Sequence, residues 1–367
     1  VASEGAVLLK NEGQTLPLAK ETRVALLGAF AQSPRYQGAG SSLINPSRLD
    51  NLYAEMVKIA GEDHITYAAG YPSKGLAIDE NLLNAAVNAA READVVVIHV
   101  GLPDSFEVEG VDRTHLALPK IHNQLVEAVA AIHDKVVVVL SNGAPVEMPW
   151  VDDVQAILEG YLGGQAGAGA LADILYGLVN PSGKLAETFP LKLEDNPSHG
   201  YFPGGPKTVE YRESLYVGYR FYQTVEKEVL FPFGYGLSYT SFAYEDLSLS
   251  KPDITDQETL TVKLTVRNTG DVPGKEIVQV YVSPVSPTAF RPRMELKEFT
   301  KVDLQPGEAK QVTFTLNRRA FAHFTTAISD WQVESGVYRI LVGASAQHIL
   351  LEGEVRVTSS GPDLPMP

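Results

Sequence analysis

The chain has 367 residues, of which 44% are hydrophobic, and carries a formal net charge of -15 at pH 7. Its length exceeds one typical domain, and its hydrophobic content is too high for a disordered chain. The acidic balance argues against a nucleic-acid or anionic-membrane partner, because both require basic patches. The sequence has no cysteine, which excludes disulfides and thiolate metal sites.

The sequence contains no apolar run of the length needed to span a bilayer, so we expect no membrane partner. The first residues, Val1–Leu9, lack an initiator methionine and the basic-then-apolar pattern of a signal peptide. We therefore expect a cytoplasmic location, and a chain that is a fragment or a processed product of a longer protein.

Strands and helices alternate through the first half of the chain. Runs of apolar residues predict strands at 23–28, 65–69, 94–100, 136–140 and 155–158. Helical spacing predicts helices at 49–61, 79–93, 119–133 and 167–176. This alternation implies right-handed crossovers and a mostly parallel sheet covered on both faces. Residues 1–190 are therefore predicted to form a three-layer α/β sandwich.

Residues 191–240 form a segment rich in proline and glycine, with nine tyrosines and phenylalanines between Tyr201 and Phe233. A stretch this long without periodicity is either functional or a linker packed across both domains. We favour the linker, because aromatic side chains this dense normally need burial.

From residue 241 the pattern becomes all-β. Apolar and polar residues alternate over 260–266, 277–282, 296–302, 311–316 and 337–342, with turn signals between them. About seven strands over roughly 115 residues predict an immunoglobulin-like or fibronectin-III-like sandwich. We place this domain at 241–357 and a flexible tail at 358–367.

Four carboxylates crowd the loop between the strand at 94–100 and the helix at 119–133. They are Asp104, Glu107, Glu109 and Asp112. In open α/β sheets, ligands bind at the carboxyl ends of the strands, which is where this loop begins. Crowding raises carboxylate pKa values, so that one such group can remain protonated and act as a general acid. A solvated acidic loop is an equally good interpretation of this stretch alone.

Nucleotide-binding fingerprints fail in this sequence. Gly38-Ala39-Gly40 begins a GxGxxG pattern, but its third position is Leu43. Gly183-Lys184 is followed by Leu185 instead of the Ser or Thr of a phosphate-binding loop.

The sequence also indicates no metal and no cofactor. The eight histidines are scattered without an HExxH motif, and His99, inside a buried strand, is predicted to be a satisfied core histidine. The loop at 35–42 is polar and rich in glycine. Its Gln37, Ser41 and Ser42 either hydrogen-bond a sugar or simply turn the chain.

One motif in the acidic loop, Glu109-Gly-Val-Asp-Arg113 followed by Leu116, Leu118 and Pro119, resembles the E-G-x-D-R-x-x-L-x-L-P signature of glycoside hydrolase family 3, the β-glucosidase family. Other segments resemble the family in the same order: 4–12 with 16–18, 37–42 with 45–46, 180–185 with 188–190, 216–222, 231–240, and 268–270 with 274–276. The resemblance covers nearly the whole chain.

The resemblance implies how the catalytic groups are divided. In the family, a (β/α)8 barrel supplies an aspartate nucleophile, and the α/β sandwich supplies a glutamate as general acid/base. Carried onto this sequence, that glutamate is Glu109, with Glu107 as the runner-up. Asp112 and Arg113 are then a supporting pair that fixes the loop.

No barrel is expected within this chain, and the nearest match to a nucleophile motif, Ser329-Asp330-Trp331, reads better as a turn followed by a strand. A retaining glycosidase needs two carboxylates about 5–5.5 Å apart, so the chain alone is expected to be catalytically incomplete. Its expected partners are a β-glucoside or β-gluco-oligosaccharide substrate and a barrel, upstream, downstream or on a second chain. The alternatives are a non-catalytic carbohydrate-binding or scaffold module and, less favoured, a nucleotide-binding α/β protein.

Overall fold

The computed structural model describes residues 1–41 and 43–361. Ser42 and the end of the expected tail, 362–367, lie outside the described residues. The chain divides into two compact units: the first is Val1–Lys184 with Gly236–Tyr239, and the second is Leu185–Tyr235 with the chain from Thr240 onward.

The first unit alternates strands and helices. In chain order they are α1 (Ala2–Gly5), β1 (Val7–Asn11), β2 (Val24–Leu27), α2 (Leu52–Ala60), β3 (Ile65–Ala68), α3 (Glu80–Arg91), β4 (Val95–Gly101), α4 (Lys120–Ala130), β5 (Val136–Ser141), β6 (Ala156–Glu159) and α5 (Gly167–Leu175). The sheet has the order β1-β6-β5-β4-β2-β3. Its strands pair in parallel, apart from β1, which is antiparallel to β6.

The valine-rich strands β4 and β5 lie at the centre of this sheet and are buried along their whole length. Successive side chains of a strand point to opposite faces. Val95, Val97, Val137 and Val139 join a core with residues of α2 and α5. The residues between them, such as Ile98, are equally buried because the other face of the sheet is covered too. This explains why these strands are continuously apolar instead of alternating.

Side chains at the helix starts set where two helices begin. The Asn51 side chain accepts a hydrogen bond from the backbone N–H of Ala54, and Asp79 accepts from Asn81 and Leu82. Each satisfies a backbone donor that the first helical turn leaves unpaired. Both helices therefore lie within the ranges predicted from spacing.

The second unit is dominated by β-strands. Its elements are α6 (Tyr219–Thr224), β7 (Phe242–Leu249), β8 (Asp253–Thr255), β9 (Leu260–Asn268), β10 (Gly274–Pro284), β11 (Glu295–Leu304), β12 (Ala309–Leu316), α7 (Arg318–Phe321), β13 (His323–Thr325), β14 (Asp330–Gln332), β15 (Gly336–Gly343) and β16 (Ile349–Thr358). One sheet has the order β11-β10-β15-β16-β8, and another has the order β12-β9-β7. Alternate residues of β9 and β10 meet in one core that contains side chains from both sheets.

The aromatic segment between the two predicted domains packs mainly within the second unit. Phe189 and Phe231 form an isolated antiparallel bridge. Tyr219 stacks on Phe233 with ring centroids 4.6 Å apart, and its hydroxyl accepts a hydrogen bond from the backbone N–H of Leu296. The four residues Gly236–Tyr239 group instead with the first unit. The observed units thus separate at Lys184 and around 236–239, near the expected boundaries at 190 and 240.

The stretch at 329–331 is a turn that leads into a short strand. Ser329 has a positive φ in a turn, and Asp330 and Trp331 begin the short strand β14, as expected for that stretch. Among the described residues, no helix is both long enough and apolar enough to cross a membrane.

Candidate active site

Three loops come together at the carboxyl edge of the sheet in the first unit. They follow β2, β4 and β5, which are neighbours in the sheet and run parallel. The carboxyl ends of parallel neighbours lie at the same edge, so loops that are distant in sequence become adjacent there. The predicted acid/base loop is the one that follows β4.

Glu109 lies exposed at this edge, next to the loop that follows β2. Its Oε2 accepts a hydrogen bond from the backbone N–H of Ser41 at 2.9 Å, and an isolated parallel bridge joins Ala39 to Val108. Hydrogen bonds from the Ser41 hydroxyl and backbone lower the pKa of the Glu109 carboxyl group, because they stabilise its ionised form.

The expectation that crowding raises the pKa is wrong for Glu109 in this chain. The other carboxylates of the loop do not contribute to its shift, and burial opposes the lowering only weakly because the side chain is exposed. The hydrogen-bond donor beside Glu109 therefore determines the direction of the shift.

Glu107, two residues earlier, has very different surroundings. Both of its carboxylate oxygens lie 2.9 Å from the backbone nitrogen of Gly143, and Oε1 also accepts from Ala144 at 2.9 Å. Its side chain is 13% exposed, and Oε2 lies 3.8 Å from a guanidinium nitrogen of Arg35. These contacts hold the loop after β4 against the loop after β5.

Arg35 is a buried arginine whose side chain is 3% exposed. Its Nε donates to the backbone carbonyl of Leu102 at 3.1 Å, and Nη2 donates to the carbonyl of Glu107 at 3.4 Å. Its Nη1 forms an ion pair with Asp104 at 2.9 Å. The guanidinium thus contacts the acid/base loop at its beginning and near its middle.

The structure does not bring Asp112 and Arg113 together as the expected pair. Among the described residues, no hydrogen bond or ion pair joins them. Asp112 is exposed, while Arg113 donates to the carbonyl of Pro145 at 3.4 Å. Burial lowers the pKa of Arg113, and the nearby carboxylates of Glu107 and Glu147 oppose that shift. Arg113 therefore faces the loop after β5 instead of its neighbour in sequence.

Gln37 and Ser41, in the loop after β2, both have hydrogen-bond partners within the chain. The Gln37 amide donates to the Tyr36 hydroxyl and to the carbonyl of Ile44, and its oxygen accepts from the backbone N–H of Ile44. These bonds join Gln37 to Ile44 and favour the turn-forming interpretation of Gln37. Ser41 contacts Glu109, and Ser42 lies outside the described residues.

Two histidines are buried beneath these loops. His99 Nε2 lies 2.8 Å from the Ser141 hydroxyl, and His122 Nδ1 lies 2.9 Å from the carbonyl oxygen of Gly101. Burial lowers the pKa of His99 to about 3 and that of His122 to about 4. His99 is buried as expected but is only partly satisfied, because its Nδ1 has no hydrogen-bond partner among the residues described.

No motif in the sequence marks Arg35, Gly143 or Ala144 as a candidate site residue. Arg35 belongs to the loop already noted, but nothing local in the sequence indicates that its side chain is buried. The place of Gly143 could have been inferred from sequence, because it follows the most valine-rich strand at the same sheet edge as the acidic loop.

Among the described residues, no group of three or more histidine and carboxylate side chains has the arrangement of a metal site.

Comparison with known proteins identifies the family. Residues 6–239 match the model of the glycosyl hydrolase family 3 C-terminal domain, and residues 276–346 match a fibronectin type III-like domain. The chain belongs to glycosyl hydrolase family 3. The family, the α/β sandwich and the fibronectin-III-like domain predicted from sequence are thereby confirmed.

Relatives cover the whole of the chain. It is 55% identical to thermostable beta-glucosidase B of Acetivibrio thermocellus over 360 residues, which is 98% of this chain and 48% of that protein. It is 43% identical to an exo-alpha-(1->6)-L-arabinopyranosidase of Bifidobacterium breve over 379 residues, which is 100% of this chain and 49% of that protein.

A solved structure has the same fold. The crystal structure of a family 3 beta-glucosidase from Bifidobacterium adolescentis aligns with a TM-score of 0.94 at 42% identity, covering 100% of this chain and 53% of that one. The chain therefore spans about half the length of the curated relatives it matches.

Proposed function

We propose that this chain forms the acid/base half of a retaining β-glucosidase, with Glu109 as the general acid/base and a barrel domain supplying the nucleophile. The observation that carries the proposal is the contrast between the two candidate glutamates. The carboxylate of Glu109 is exposed at the sheet edge, whereas that of Glu107 is occupied by the backbone of Gly143 and Ala144.

The proposed reaction has two steps. An aspartate of the barrel attacks the anomeric carbon, while protonated Glu109 donates its proton to the leaving oxygen. Ionised Glu109 then removes a proton from water, which attacks the glycosyl-enzyme and releases the sugar with retained configuration.

The first step needs Glu109 in its protonated form, although Ser41 lowers the pKa of Glu109 in the chain by itself. We expect the barrel to raise the pKa of Glu109 in the whole enzyme. A retaining site places the nucleophile carboxylate about 5–5.5 Å from the acid, and a like charge at that distance raises the pKa of its neighbour. Exclusion of water by a bound substrate raises it further, because burial disfavours the ionised form.

The barrel is proposed to lie in the same polypeptide. The curated relatives are about twice as long as the part that this chain matches, which supports a barrel in cis. The chain by itself should then show no sustained turnover of a chromogenic β-glucoside. Sustained turnover by the purified chain would contradict the proposed division of catalytic groups.

The proposed substrate is a glycoside with a terminal β-D-glucosyl residue. β-Glucosidases among the relatives at 55% and 37% identity support this choice. The similarity to an arabinopyranosidase at 43% identity favours a specific second candidate, an α-L-arabinopyranoside. The family resemblance implies that the barrel makes most of the contacts with the reacting sugar. An aryl β-D-glucoside and an aryl α-L-arabinopyranoside should therefore both be assayed with the whole enzyme.

The role of Glu109 can be tested by replacing it in the enzyme that contains the barrel. Glu109→Gln should lower kcat/KM for a poor leaving group such as phenol by about 10²–10⁴-fold, because that oxygen must be protonated as it departs. The leaving group of a dinitrophenyl glucoside needs little protonation. Its glycosylation step should therefore be nearly as fast in Glu109→Gln as in the unmodified enzyme. The alkaline limb of the pH–kcat/KM profile should also disappear, since that limb reflects deprotonation of the general acid.

Glu107→Gln is the matched control, because it makes the same chemical change two residues away. It should retain the alkaline limb, since Glu109 is still present to titrate. Loss of that limb in Glu107→Gln, with its retention in Glu109→Gln, would assign the acid to Glu107 and refute the proposal.

A further inference from the structure

The buried guanidinium of Arg35 contacts the acid/base loop at several points. It bonds the carbonyls of Leu102 and Glu107 and forms an ion pair with Asp104. Its side chain is 3% exposed, so the cost of removing its charge from water must be offset by these contacts. A lysine could not replace them, because its single amine lacks the planar fork that reaches several oxygens at once.

These contacts extend toward Glu109 through Glu107. The Glu107 carboxylate lies 3.8 Å from Arg35 and accepts hydrogen bonds from the backbone of Gly143 and Ala144. Two residues later, Glu109 accepts a hydrogen bond from the backbone N–H of Ser41. The loop is thus held between the loops that follow β2 and β5, and the side chain of Arg35 is more deeply buried than those of its carboxylate partners Asp104 and Glu107.

We infer that Arg35 is a positioning residue that holds Glu109 where it can protonate the leaving oxygen, acting through the backbone of the loop and the carboxylate of Glu107. The inference rests on the proposed role of Glu109. Arg35 itself lies beneath the loop and is not proposed to touch the substrate. Its effect is geometric, because proton transfer requires the acid within hydrogen-bond distance of the departing oxygen.

The first arm of the test measures the loop in this chain directly. In Arg35→Lys, the backbone amides of Ser41, Gly143 and Ala144 should exchange hydrogen faster than in the unmodified chain, because their carboxylate acceptors lose their fixed positions. Unchanged exchange at all three amides would overturn the inference.

The second arm measures catalysis by the whole enzyme. Arg35→Lys should lower kcat/KM for a phenyl glycoside by about 10- to 100-fold, since a misplacement of about 1 Å has an effect of that order. A dinitrophenyl glycoside should be little affected, and the alkaline limb of the pH profile should persist because Glu109 still titrates. An equal loss on both substrates would show that Arg35 supports only the fold, and would overturn the inference while leaving the role of Glu109 intact.

Arg291→Lys is the matched control for the loss of a buried arginine. Arg291 lies in the second unit, and its side chain is 1% exposed, compared with 3% for the side chain of Arg35. It likewise bonds a backbone carbonyl, that of Phe321, and a carboxylate, that of Glu295. Arg291→Lys should show neither the leaving-group dependence nor the faster exchange at Ser41.

Glu109→Gln completes the experiment by separating the two proposals. If Glu109→Gln shows no dependence on the leaving group, the proposed function fails and the inference about Arg35 fails with it. If Glu109→Gln shows the dependence and Arg35→Lys does not, only the inference fails.

Discussion

Glu107 and Glu109 carry the same side chain two positions apart, yet their environments differ because of residues far away in sequence. Backbone N–H groups at 143 and 144 hold Glu107, and the N–H at 41 contacts Glu109. Which carboxylate stays accessible depends on how the loops after β2 and β5 are placed. The sequence could therefore name both candidates and rank them only by resemblance.

Gly40 brings the loop after β2 close to Glu109. It has a φ of +86°, and a Cβ added there would lie 2.8 Å from the Cβ of Glu109. Gly40→Ala should lower the free energy of unfolding by roughly 1 kcal/mol from backbone strain. It should also displace Glu109 from Ser41, so that the pKa of Glu109 rises toward its usual value. Carboxyl-carbon NMR titration of the chain measures this rise.

Gly61→Ala provides the matched control for that prediction. Gly61 has a similar φ of +91°, but a Cβ added there meets no atom within 4 Å. It should show the backbone strain without any change in the titration of Glu109. Identical titrations of Glu109 in the two variants would contradict the assigned contact.

At the scale of elements, periodicity predicted what the sheets bury. The parallel strands β2 to β6 and the helices α2 to α5 lie within a few residues of their predicted ranges, because an apolar run or stripe directly reflects burial. Five of the described strands, β1, β7, β8, β13 and β16, were not predicted. β1 pairs antiparallel with β6 at the sheet edge, and nothing in the five residues of β1 indicates that pairing. β7 has a register shift between Glu245 and Ser248, which interrupts the alternation.

Asn268 connects the end of β9 to neighbouring turns in the second unit. It is fully buried; its Nδ2 donates to the carbonyls of Val272 and Leu304, and its Oδ1 accepts from the N–H of Gly270. Asn268→Ala should lower the free energy of unfolding by about 3 kcal/mol, because it leaves several backbone groups unpaired. Urea denaturation followed by circular dichroism measures the loss.

Asn317→Ala is the corresponding control for losing an asparagine in the second unit. Asn317 is exposed and accepts a single backbone hydrogen bond, from Arg319, at the start of α7. Its loss should cost about 1 kcal/mol, as for a typical N-cap. A similar cost at both positions would refute the role assigned to the buried Asn268.

At the scale of the whole molecule, the sequence indicated two folded parts but not how the chain is shared between them. Residues 185–190 lie in the second unit because Phe189 pairs with Phe231, and 236–239 return to the first because Leu237 bonds Leu8. Both pairings join residues distant in sequence. Turn and proline signals mark such a segment, but they do not reveal its partners.

The response of the first unit to pH follows from its two buried histidines. Burial lowers the folded-state pKa to about 3 for His99 and about 4 for His122, against an ordinary value near 6.5. The unfolded chain therefore binds protons between pH 6.5 and 4 that the folded unit does not bind. Stability is complete above pH 6.5 and falls as the pH decreases, by about 2 kcal/mol per histidine at pH 5.

Urea denaturation between pH 7.5 and pH 5 tests this expectation, and tryptophan fluorescence can isolate the first unit. Trp150 is fully buried in that unit, and Trp331 lies in the second, so Trp331→Phe leaves Trp150 as the reporter. His323 in the second unit also has a lowered pKa, which makes this separation necessary. His99→Gln and His122→Gln should each reduce the pH dependence by about half, although each lowers stability at pH 7.5. The full pH dependence persisting in both variants would mean that other groups, not these histidines, bind the protons on unfolding.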